Sequence, residues 1–263
     1  MGPKIGYLLP TRENVMKGRP QGKLLLELGK RAASNGYDSL WVGDSLLARP
    51  RHEPITLLAA LAGCTQNVDL GTAVLLPALR NPVVLAHQVA TLDQVSEGRV
   101  ILGVGIAGDT PGIRAEFAAA GVPFEKRGGR LLEGLQLARA LWSGEPVQWD
   151  GRWHVVDGVL GPTPHRPGGP PLWYGSSAPL GLIRTAKHFD GWFPTGPGAA
   201  EYGERWQDVQ RLGKEAGRAP DSVTAAVYLT LSVDDNAERA ESSANDYLQS
   251  YYGANAAVLR RRQ

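Results

Sequence analysis

Residues 68–105, VDLGTAVLLPALRNPVVLAHQVATLDQVSEGRVILGVG, constrain the fold more than any other stretch of this chain. Val68 to Leu76 is apolar and rich in strand formers, and Leu79-Arg80-Asn81-Pro82 ends it. Val83 to Val95 carries apolar residues at helical spacing, Ser96-Glu97-Gly98 turns the chain, and Arg99 to Val104 is a second apolar run. Two buried strands joined by a helix form a parallel βαβ unit, because strands that run the same way need a crossover between them. Such sheets place ligand sites at the carboxyl ends of their strands. Here those ends are Ala73-Val74-Leu75 and Gly103-Val104-Gly105.

The same alternation recurs along the chain. Strands are predicted at Ile5–Leu9, Ser39–Val42, Leu172–Tyr174, Gly191–Pro194 and, from good alternation, Ser222–Val233. Helices are predicted at Lys23–Ser34, Pro54–Gly63, Gly129–Trp142, Ala178–His188, Ala200–Ala216 and Asp235–Tyr252. Thr11–Gln21 and the excursion from Gly105 to Phe124 read as loops. Trp149-Asp150-Gly151-Arg152-Trp153 reads as a hairpin, and Gly158–Pro171, with five prolines and four glycines, as an extended loop. The expectation is an α/β chain with a TIM-type (β/α)8 barrel, one domain over 1–263 with an insertion at about 143–171. The eighth βα unit is missing or cut short, since Ala256–Leu259 is too short for a strand. A barrel left open has a sheet edge prone to pairing, which favours a homodimer.

Charge excludes one class of partner. With 28 basic and 26 acidic residues and a net charge of +2, the chain shows no broad basic stripe for nucleic acid. Arg260-Arg261-Arg262 reads as a solvated tail. The single Cys64 permits no intrachain disulfide and reads as helix packing. No leader and no membrane-length apolar run is evident, so a cytoplasmic protein is expected. The five histidines show no metal-ligand spacing, and no paired-carboxylate cluster is visible, so no metal site is expected.

Read from the residues, Gly175-Ser176-Ser177 stands between a strand and a helix, where small residues and free helical amides suit a phosphate; Ser177 could equally cap the helix. Asp44 follows a strand end and suits either a ligand contact or a structural ion pair. Arg80 reads as a surface arginine, and Asp93, Glu97 and Arg99 as turn architecture. Trp41, Trp142 and Trp192 read as core. GVGIAG at 103–108 is no dinucleotide fingerprint, because it does not open a helix.

Several segments taken in order resemble the bacterial luciferase-like family of flavin- and F420-dependent oxidoreductases: GYDSLWVGDS, LGTAVLLP, RNP, AHQ, ATLDQVSEGR, LGVG, PFEKRGGRLLEGLQLARALWSGEPVQWDGRWH and PLWYGSSAPLGLIRTAKHFDGWFPTG. The resemblance spans about residues 4 to 250. It implies a cofactor at the barrel mouth, with its phosphate at Gly175, Ser176 and Ser177 and its ring against Ala73, Val74 and Gly105. It also implies a non-proline cis peptide at Ala73-Val74, and a place for Asp44 as catalytic residue at the ring edge. Two departures matter. Many F420-dependent relatives carry a histidine where this chain has Ser45, and serine is no base at neutral pH. Luciferase carries a phosphate-gripping arginine near the position of Ile106, which leans the cofactor toward F420 over FMN.

The implied function is reduction, oxidation or monooxygenation of a small organic substrate with F420 or reduced FMN, with a flavin or F420 reductase as the matching partner. A cofactor-binding relative without turnover is the second reading. A non-redox phosphate-binding barrel is the third. It lacks a lysine or glutamate at the strand ends, which read Leu-Pro, Gly-Asp, Val-Leu, Gly-Ile, Gly-Ser and Pro-Thr.

Overall fold

The apolar runs of the first two-thirds of the chain become four parallel strands, each followed by a helix. The computed structural model describes residues 2–12, 18, 21–253 and 256–257. Two units separate, Met1–Leu172 and Trp173–Gln263.

In the first unit the order is β1 (Gly6–Leu8), α1 (Gly22–Ser34), β2 (Ser39–Val42), α2 (Pro54–Ala62), β3 (Asp69–Thr72), α3 (Pro82–Val95), β4 (Val100–Val104), α4 (Pro111–Ala119) and α5 (Arg127–Leu141). β1 pairs with β2, β2 with β3 and β3 with β4, all parallel. β2 and β4 are buried at every position, as a sheet covered on both faces requires. Register explains two glycines. Trp41 lies opposite Gly71, and a Cβ there would stand 2.2 Å from the Trp41 ring. A Cβ on Gly6 of β1 would stand 2.3 Å from Trp41 Nε1. The indole spreads across both neighbouring strands, which is possible only where they carry no side chain.

Helix starts follow local chemistry. Asn81 accepts from the amides of Val83 and Val84, with Pro82 in the first turn of α3. Thr110 caps α4 ahead of Pro111. The helix α4 lies inside the stretch expected to be irregular. Its buried residues are Ile113, Glu116 and Phe117, so one position of the inward stripe is a carboxylate and the apolar period is hidden. β5 (Val147–Asp150) and β6 (His154–Gly158) form the antiparallel hairpin expected around Asp150-Gly151.

In the second unit β7 (Leu172–Tyr174), α6 (Pro179–His188), β8 (Gly191–Trp192), α7 (Ala199–Glu215), β9 (Thr224–Ala225) and α8 (Ala237–Tyr252) follow one another. β7 pairs with β8 and β8 with β9, again parallel. The run expected as a strand to Val233 is shorter: beyond Ala225 only Tyr228 bridges, to Thr195. Tyr228 faces Tyr251 and Tyr252 of α8, and burial followed by these neighbours raises its phenol above the usual range. The alternate residues Leu229, Leu231 and Val233 are exposed, the last at 95%. Trp192 is fully buried and stacks on Tyr202 and Trp206 of α7.

The stretches Thr11–Gln21 and Ala256–Leu259 lie largely outside the described residues. Trp41 and Trp142 are core, as expected. No helix among the described residues is long and apolar enough to cross a membrane.

Candidate functional site

Three strand ends in the first unit meet at one place. The Ala73 amide donates to Val42 O at 2.7 Å, Leu75 N to Gly103 O at 2.8 Å, and Gly105 N to Leu75 O at 2.9 Å. The chain ends of β2, β3 and β4 are thereby stitched side by side. Thr72 and Leu75 are buried, whereas Ala73 and Val74 between them are half-buried and join through a cis peptide bond. Gly43 sits beside them: a Cβ there would lie 3.5 Å from Ala73 O and 2.0 Å from the Arg51 guanidinium. The structure thus brings Asp44, Ala73, Val74 and Gly105 together.

Asp44 is not a free carboxylate. Its side chain is 1% exposed, and Arg80 grips it from both nitrogens, Nη1 to Oδ2 at 2.5 Å and Nη2 to Oδ1 at 3.1 Å. Leu76 N donates to Oδ2 at 2.9 Å. Arg80 also reaches Glu53 at 3.1 Å. It is 15% exposed rather than a surface residue, and although burial opposes its charge, the bonds to Asp44 and Glu53 hold the guanidinium above its usual range. Sequence spacing of 36 residues gave no hint of the pair.

Ser45 is committed as well. Its hydroxyl donates to Glu116 Oε2 at 2.7 Å and accepts from Arg49 N at 2.9 Å. The same carboxylate oxygen accepts from Leu47 N and Ala48 N. Glu116, fully buried on α4, therefore fixes the loop that follows β2. Nothing in the sequence marked it, because a buried glutamate looks like any helical glutamate until its partners are placed.

In the second unit Gly175-Ser176-Ser177 links β7 to α6, and all three are half-buried. The helix N-cap is Ala178, without a side-chain cap, so Ser177 does not cap it. Trp192 Nε1 donates to Ser176 O at 2.8 Å, and Arg205 Nη1 donates to Ser177 O. Arg205 is held by Glu201, one turn away on α7, at 2.6 Å. Ser176 Oγ approaches Gly181, where a Cβ would meet it at 2.1 Å.

The opposite ends of the first unit's strands carry architecture. A polar cleft of about 960 Å³ is lined there by Cys64, Thr65, Asp69, Glu97 and Arg99 among others. Cys64 is half-buried rather than packed in the core. Arg99 donates to the carbonyls of Ala62, Val68 and Ser96, tying the ends of α2 and α3 to the strand starts. Asp93 is buried and accepts from Arg166 N. Among the described residues no group of three or more His, Cys, Asp or Glu is placed to hold a metal ion.

Comparison with known proteins gives this geometry a context. The chain is 32% identical over 225 residues to an F420-dependent glucose-6-phosphate dehydrogenase of Nocardia farcinica, covering 82% of this chain and 66% of that protein. It is 29% identical to a 5,10-methylenetetrahydromethanopterin reductase of Methanolobus tindarius, covering 82% and 63%. The chain thus spans slightly under two-thirds of the length of these curated relatives. Among solved structures, a monooxygenase from Streptomyces bottropensis superposes with a TM-score of 0.81 at 22% identity, covering 98% of this chain and 80% of that one. An F420-dependent secondary alcohol dehydrogenase bound to an F420–acetone adduct superposes with 0.81 at 23%, covering 95% and 76%. At those identities the likeness establishes the fold, the α/β TIM-type barrel class expected from the alternating elements, with seven parallel strands among the described residues. The model of the luciferase-like monooxygenases matches residues 3–263, and the chain therefore belongs to the luciferase-like monooxygenase family.

Proposed function

We propose that this chain is an oxidoreductase that uses F420, or reduced FMN, to reduce, oxidise or monooxygenate a small organic molecule. The observation that carries the reading is the start of α6. A helix of ten residues opens without a side-chain cap behind a loop of three small, half-buried residues. Its unpaired amides and partial positive charge suit a phosphate. Gly175, Ser176 and Ser177 are the residues proposed to hold it. For the ring, the proposed seat is Ala73 and Val74, the accessible pair between buried neighbours, with Gly105 beside them. Gly43 fits the same role, since a side chain there would displace Arg51. F420 is favoured over FMN because Ile106 offers no charge to a phosphate and relatives named for F420 are among the similar proteins.

When bound, the cofactor supplies the redox chemistry; the chain supplies binding, orientation and exclusion of water. Asp44 is proposed to act at the ring edge by positioning, because Arg80 and the Leu76 amide already engage its oxygens. The Ser45 hydroxyl donates its hydrogen to Glu116 and is thereby held in the loop after β2. These two commitments favour a second reading, cofactor binding without turnover. We further propose a single domain over 1–263, a cytoplasmic homodimer and, if FMN is used, a separate reductase.

Side-by-side fluorescence titration with FMN, reduced FMN and F420 tests the reading. Micromolar binding of one of them is expected, with F420 first. Binding of none would overturn it, and binding without substrate-dependent oxidation would select the second reading.

A further inference from the structure

We propose that Arg205 and Trp192 are positioning residues that turn the Ser176–Ala178 backbone into an anion-binding face. The inference rests on the phosphate reading of Gly175–Ser177 given above. In a trans peptide the C=O and the following N–H lie in one plane and point in opposite directions. Trp192 Nε1 donates to Ser176 O, and Arg205 donates to Ser177 O. The Ser177 N–H is therefore directed away from Trp192 Nε1, and the Ala178 N–H away from Arg205 Nη1. Without those two donors each peptide could rotate and present a carbonyl oxygen, which repels an anion. The arrangement is preorganisation: the orientation is fixed before the ligand arrives.

Both donors are themselves fixed. Trp192 is fully buried in β8 and stacks on Tyr202 and Trp206, which fixes its ring and the direction of its N–H. Arg205 is braced by Glu201 at 2.6 Å. The Ser176 hydroxyl completes the face: its contact with Ala178 N is long, 3.4 Å, outside the usual range, so an anion can take both groups without breaking a good bond. Gly181 leaves room for that hydroxyl, since a Cβ there would stand 2.1 Å from Ser176 Oγ and 2.5 Å from Ser176 Cβ. Neither donor touches the anion in this scheme; both act through the loop.

The test compares cofactor forms with and without the phosphate: FMN with riboflavin, and F420 with the deazaflavin lacking its phosphate and the tail beyond it. Dissociation constants are measured by fluorescence for the wild-type chain and for Arg205→Gln, Arg205→Lys, Trp192→Phe and Gly181→Ala, with circular dichroism to establish folding. The wild type should prefer the phosphorylated member of the pair it binds by about tenfold or more. Arg205→Gln and Gly181→Ala should lose most of that preference while the phosphate-free form binds within about twofold of wild type. Arg205→Lys, which keeps a cationic donor, should regain part of it. Trp192→Phe keeps the ring stack and removes the N–H; should it fail to fold, Arg205→Gln and Gly181→Ala decide alone. Equal loss for both members of a pair, or no loss, overturns the positioning role while leaving the phosphate site standing. A wild type that does not distinguish the members, or binds neither, overturns the phosphate reading and this inference with it.

Discussion

The ion pair of Arg80 and Asp44 shows what a single residue can hide. Asp44 is 1% exposed, so removing its partner leaves a buried charge uncompensated. Arg80→Ala should cost about 3–5 kcal/mol in urea unfolding; a loss under about 1 kcal/mol would mean the pair behaves as a solvated one. Glu53, on the same guanidinium, gives a pH signature. Burial opposes its ionisation, but the bonds from Thr56 and the charge of Arg80 outweigh it and hold the carboxyl below its ordinary value of 4.5. A lowered folded-state value means the stabilisation is complete above 4.5 and fades as the pH falls through the folded value. Acid titration of the wild type should therefore show a loss of stability below that point which is smaller in Glu53→Gln; identical curves would sink the assignment. At the proposed phosphate loop, Ser177→Asp should weaken binding of a phosphorylated cofactor by about tenfold or more, since a like charge replaces a hydroxyl. Unchanged affinity in the same titration would move the phosphate elsewhere. The residue types at Asp44 and Ser177 were legible as candidates in the sequence. Their states were not, because those depend on Arg80 and Arg205, which reach them only through the fold.

At the scale of elements, strands and helices with an unbroken apolar period were legible to within a residue or two. Ser39–Val42 and Leu172–Tyr174 are examples, because largely buried strands demand mostly apolar runs. The helix α4 was not legible, since Glu116 occupies its buried face and one of its carboxylate oxygens is bonded by a loop 68 to 71 residues away. β9 erred the other way. Its alternation continues to Val233, but regular pairing ends where β8 ends and beyond it only Tyr228 bridges, to Thr195. The packing of β2 against β3 gives a prediction of its own. Gly71→Ala places a methyl 2.2 Å from the Trp41 ring, with no slack in a buried strand. It should destabilise the fold by about 1–3 kcal/mol, read as a lowered urea midpoint. A neutral result would show that Trp41 can swing aside.

For the molecule as a whole, the apolar side chains left in solvent carry the consequence. Leu231 and Val233 are 79% and 95% exposed, next to a strand with little pairing beyond Tyr228. Exposed apolar residues beside an unpaired edge promote self-association. Leu231→Lys with Val233→Lys should reduce light scattering of concentrated solutions and leave thermal stability nearly unchanged. Scattering equal to wild type would show that this row is not what associates. The sequence by itself determined the parallel α/β class and the family resemblance, and it marked the loops proposed for a cofactor, because periodicity, glycine placement and strand-end position are local properties of a chain. Tertiary structure alone decided which charges are free. Arg80 and Asp44, Glu116 and Ser45, Arg205 and Ser177 each meet across many residues of chain, and a hydrogen bond depends on distance in space, which no local pattern encodes.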